Sequence, residues 1–147
     1  VPYGLPAGFP IAKAELEPVE SLAQWNGRWG QEVKVLRIAG MPRLQEHAVL
    51  HVPSRTLILT DLVFNLRFPP HQSVPWALRW ISGLKSFPGT SRLVKLCVKD
   101  RVAVRQSLEE MMAWDFDQVV VSHGELITEN AKDTLRRVLA WGLEPAS

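Results

Sequence analysis

The sequence predicts an α/β domain, a layered sheet with helices packed on it. Three observations carry this. "EVKVLRI" (32–38), "EHAVLHV" (46–52) and "TLILT" (56–60) are short alternating or apolar runs that read as neighbouring strands. "DRVAVRQSLEEMMAWD" (100–115) sets Val104, Leu108, Met111 and Met112 on one face at helical spacing. The chain then closes with a strand and a second helix, an order that stacks helices on a sheet. The 147 residues, 46% hydrophobic and 22% charged, fit a single globular domain able to bury a core without staples.

Each element has its own signal. Residues 1–10, "VPYGLPAGFP", hold three Pro and two Gly and read as an arm or loop. "EPVESLAQWNGRWG" (17–30) predicts a short helix, with Pro18 in its first turn and Gly30 past its end. "AGMPR" is a turn, and "PSR" joins the next two strands as a hairpin. The 67–90 stretch is a Pro/Trp-rich insertion around one short helix at about 74–84. A second short helix is expected near 90–98. Asp100 is the expected N-cap of the long helix. "FDQVVVSHG" (116–124) is a strand ending in Ser-His-Gly. "NAKDTLRRVLAWG" (130–142) is the closing helix, with Asn130 as N-cap and Gly142 past its end.

The formal net charge is +2, but between Arg67 and Arg105 eight basic residues face one acidic residue, Asp100. The plain reading is a solvated basic face. The functional reading is attraction for an anionic partner or membrane surface. Nucleic acid is disfavoured, because no aromatic motif is interleaved with the basic residues. The lone Cys97 excludes an internal disulfide and suits a reducing, cytoplasmic compartment. No apolar run approaches the ~20 residues needed to span a bilayer. The chain starts at Val1 rather than Met, which leaves open a native start further upstream.

Two strand ends could carry chemistry. Asp61 interrupts the apolar run "TLILTDLVFNL" (56–66), where an unpaired buried carboxylate would be costly. It must reach solvent at the strand end, accept backbone N–H groups from "VFN", or meet a cation. His123 stands just past Val119–Val121, and ligands of layered α/β proteins gather where strands end.

These stretches, "HVPSRTLILTDLVFNL" and "RQSLEEMMAWDFDQVVVSHGELI", resemble the C-terminal half of the metallo-β-lactamase superfamily, in a branch of unknown function. The resemblance spans roughly residues 32–142 and implies a metallo-β-lactamase-like sheet with packed helices. It maps Asp61 onto the carboxylate that bridges two metals and His123 onto a ligand of one of them. The superfamily's His-x-His-x-Asp-His motif is nowhere in this chain, and Met41 stands near the place of a further His. Thioether suits zinc poorly. The expectation is therefore a metal site incomplete in this chain, no cofactor here, and a non-catalytic role. Zinc enters only if the site is completed elsewhere, as in a metal-dependent hydrolase whose missing ligands lie outside this chain or on another copy of it.

Other candidates are weaker. His47 and His51 share a strand face but stand about 13 Å apart at ~3.3 Å per residue, too far for one metal. His71 falls in the insertion. Cys97, beside Lys95 and Lys99, reads as a half-buried helix residue. Trp76 and Trp80, four apart, share a helix face, either as core or, with Arg67 and Arg79, as a binding surface for an anionic partner or membrane.

Overall fold

The computed structural model describes residues 4–5, 20–21, 29, 31–67, 76, 83–84 and 86–144. The rest of the 1–10 arm, the bulk of the expected helices at 17–30 and 74–84, and His71, Arg79 and Trp80 lie outside the described residues. Glu20–Ser21, expected inside a helix, is instead a two-residue strand parallel to Gly4–Leu5.

Among the described residues, four longer strands form one sheet in chain order: β1 (Val33–Arg37), β2 (His47–His51), β3 (Thr56–Asn65) and β4 (Gln118–Gly124). β1 and β3 pair antiparallel with β2, while β3 and β4 are parallel. Three helices follow or interleave: α1 (Arg92–Leu96), α2 (Arg101–Ala113) and α3 (Ala131–Leu143). None is long and apolar enough to cross a membrane.

Register explains the core. Leu50 pairs with Leu57, Leu57 with Val119, and Leu59 with Val121, so these side chains share one face. Val104, Leu108 and Met111 of α2 and Leu135 and Leu139 of α3 pack in the same buried cluster. Met41 belongs to that cluster, and Trp114 packs half-buried against it. On the opposite face Val49, Ile58 and Val120 line up, and Ile58 keeps 37% exposure.

α2 starts as the sequence predicts: Asp100 Oδ1 accepts the Ala103 N–H at 3.0 Å. One turn on, the buried Ser107 hydroxyl donates to Ala103 O and accepts the Ala39 N–H at 3.0 Å, tying the loop after β1 to the helix. α3 departs from expectation twice. Asn130 precedes the helix, but it sits in the left-handed region (φ 48°) and its side chain makes no cap bond. Gly142 lies inside the helix, not beyond it. A Cβ there would stand 2.6 Å from Leu108 Cδ1, so the glycine lets α3 close onto α2.

The larger correction concerns β3, which continues past Thr60 to Asn65. Its pairing with β4 slips between Leu59↔Val121 and Phe64↔His123. Residues 60–63 thus span an interval that β4 covers with Ser122 alone. Two adjacent residues, Leu62 and Val63, are both fully buried there, so strict alternation fails. Asp61 therefore sits within a β-bulge, a device that re-aims side chains.

Candidate functional site

The bulge turns Asp61 toward β4. Its Oδ1 lies 3.0 Å from His123 Nε2, across 62 residues of sequence. An ionised carboxylate only accepts, so Nε2–H is the donor in this contact. Both side chains are roughly half exposed, 47% for Asp61 and 45% for His123. Of the three fates open to Asp61, it reaches solvent and an imidazole. The N–H of Phe64, which could have turned to it, bonds Gly89 O instead.

His123 is held on two sides. Phe64, its register partner, stacks on the imidazole with ring centroids 4.8 Å apart and planes 7° from parallel. The end of β4 is then riveted to the end of β3. Glu125 N–H donates to Asn65 O at 2.9 Å, Asn65 Nδ2 donates to Glu125 O at 2.8 Å, and Arg67 pairs with the Glu125 carboxylate at 3.1 Å. Gly124 makes this approach feasible. It has φ +123°, and a Cβ would fall 2.0 Å from Asn65 O.

A residue that sequence reasoning passed over supports Asp61 from behind. Glu46 is 1% exposed. Its Oε1 accepts the Thr60 N–H at 2.9 Å, and its Oε2 accepts the Thr60 hydroxyl and the Asp61 N–H, the latter at 3.0 Å. The β2–β3 ladder stops at Val49↔Ile58. The Glu46 carboxylate meets the β3 amides just beyond that point. Three donors offset the cost of burying this carboxylate. The signal was legible: Glu46 shares the alternation phase of Ala48 and Leu50, so an acid stood in a core-facing position.

The other candidates do not join the site. His47 Nδ1 lies 3.0 Å from Gln45 O, and His51 Nδ1 lies 2.7 Å from Ser54 Oγ. Both point to the face of β2 opposite Ala48 and Leu50, as their spacing predicts. Cys97 is a free, half-buried thiol at the end of α1. Trp76 is 80% exposed, which rules out core packing for this side chain. Arg67 is engaged with Glu125 and Arg105 with Glu109, so two charges of the basic stretch are partnered within the fold. A cavity of about 120 Å³ lies between the ends of α2 and α3, lined by Val98, Arg101, Val102 and Trp141 among others, and includes neither Asp61 nor His123.

The donor set can be tested against zinc. Two ligand atoms on one tetrahedral ion lie about 3.3 Å apart for bonds of ~2.0–2.1 Å, close to the Asp61–His123 separation. Zinc sites, however, take three or four protein ligands. Among the described residues no three His, Cys, Asp or Glu side chains converge to hold a metal ion. The pair has suitable spacing, but it does not make a complete site.

Compared with known proteins, the chain matches no family model and no curated protein.

Proposed function

We propose that this chain is a metallo-β-lactamase-like domain whose Asp61–His123 pair is the remaining part of a metal-binding strand end, and that it acts by binding rather than by metal-dependent hydrolysis. The observation that carries the reading is the 3.0 Å contact of a carboxylate and an imidazole in the carboxyl-terminal halves of adjacent parallel strands. Each group satisfies the other without a cation. A dinuclear hydrolase needs two clamped metals to activate water, and two ligands do not supply them. The lone Cys97 fits a reducing, cytoplasmic setting, which belongs to the same proposal.

One observation favours a second reading. Both side chains are half exposed, so ligands from outside this chain could reach a cation held there. That version is a metal-dependent hydrolase completed by residues of a longer chain or a partner.

Zinc retention on this chain tests the first reading, and the same measurement on a longer chain or the partnered assembly tests the second. The protein is equilibrated with zinc, freed of unbound metal by dialysis, and analysed for what stays. Negligible retention is expected of this chain. Near-stoichiometric zinc, lost in His123→Ala, would overturn the binding-only reading and favour the hydrolase.

A further inference from the structure

We propose that Glu46 is the positioning residue of the Asp61–His123 pair. The inference rests on the reading of that pair as the functional site. The bulge removes Thr60 and Asp61 from regular pairing with β4, and β2 no longer pairs with β3 at this level. Their N–H groups would be left without partners, at a cost that would drive the segment to rearrange. The Glu46 carboxylate takes both, and takes the Thr60 hydroxyl as well. Holding the Asp61 amide fixes the backbone from which the Asp61 carboxylate reaches His123. Glu46 touches neither the imidazole nor a substrate. It acts through Asp61.

The chemistry demands a carboxylate. Three donors converge on two acceptor oxygens, and a glutamine of the same shape has one oxygen and one NH2. Whichever way that amide is turned, its NH2 faces a backbone N–H, Thr60's or Asp61's, and that N–H is orphaned. Glu46→Gln therefore keeps the packing volume and loses the lock. Thr60→Val removes the hydroxyl that shares Glu46 Oε2 with the Asp61 N–H, so it loosens the hold on Asp61 without orphaning either N–H.

The test reads the ring nitrogens of His123 by NMR in protein labelled with 15N-histidine. Wild type, E46Q, T60V and D61N are compared without metal. D61N defines the spectrum of an imidazole that has lost its carboxylate. In E46Q the His123 signals are expected to move toward the D61N positions. His51, held by Ser54 on the far side of β2, stays in place, and the methyl signals of Leu57 and Val119 report an intact core. T60V is expected to move His123 in the same direction by a smaller step. A folded E46Q with His123 at its wild-type position overturns the proposal. If E46Q does not fold, T60V decides alone, and an unmoved His123 again overturns it. Near-stoichiometric zinc retention would overturn the binding-only reading while leaving this positioning intact, because the NMR readout contains no metal.

Discussion

Phe64 and His123 lie face to face, one ring on β3 and one on β4, with centroids 4.8 Å apart. They are direct partners in the parallel register just past the bulge. The imidazole is therefore held by an apolar wall as well as by Asp61. Replacing Phe64 with Leu keeps apolar bulk and removes the stack. The expected loss is about 0.5–1.5 kcal/mol, the usual worth of an aromatic pair beyond its buried area. Urea unfolding checks it, as a lower midpoint with an unchanged slope.

Asp61 and His123 themselves should matter little to stability. Half-exposed ion pairs contribute roughly 0–1 kcal/mol. Asp61→Asn is expected to cost less than about 1 kcal/mol, against ~2–5 kcal/mol for Leu57→Ala in the core, and His123→Ala, which also removes the Phe64 stack, costs about 0.5–1.5 kcal/mol more than Asp61→Asn. A loss of core size at either residue would make the pair a fold determinant rather than a site.

Gly124→Ala should be severe for so small a change. The backbone is in a region L side chains rarely adopt, and the new Cβ would collide with Asn65 O. A cost of at least about 2 kcal/mol is expected. Thermal unfolding measures it. A neutral substitution would show that the β3–β4 clasp is not built as described.

Ser107→Ala removes a hydroxyl that serves two backbone groups. The Ala39 N–H loses its acceptor, and because Ala39 is exposed and can turn to water, the cost is that of an ordinary hydrogen bond, about 0.5–1.5 kcal/mol. Hydrogen exchange at the Ala39 amide should quicken more than exchange at β1 amides. Equal rates before and after would remove Ser107 as the tie between that loop and α2.

Much of the layering is legible in the sequence, because alternation and helical spacing report which face is buried. The three N-terminal strands of the sheet, α2 and β4 follow from that pattern, as does the Asp100 cap. The failures lie where tertiary contacts override local preference. Gly142 carries the ordinary signature of a helix end, and only the approach of Leu108 explains its place inside α3. Asn130 has a cap-forming side chain but a left-handed backbone that leaves it unused. At Asp61 the residue type marked the spot, but the strand runs on through a bulge. The adjacent buried pair Leu62–Val63 was the local trace of that bulge. The juxtaposition with His123, expected from the resemblance that maps both residues onto one metal site, is made by the β3–β4 register, which no local pattern encodes.

The parallel pairing of β3 with β4 also sets an order of events during translation. β2 and β3 are joined by residues 52–55 and can pair as soon as both leave the ribosome. β4 begins only at Gln118, after α1 and α2 have been made. A nascent chain that has not reached Gln118 holds Glu46 and Asp61 but lacks the imidazole. It also lacks the strand that covers the far edge of β3. Ten residues of mostly apolar strand then present an unpaired edge, the kind of surface that recruits other chains. Truncated products ending before Gln118 are therefore the species for which chaperone demand and aggregation should be greatest.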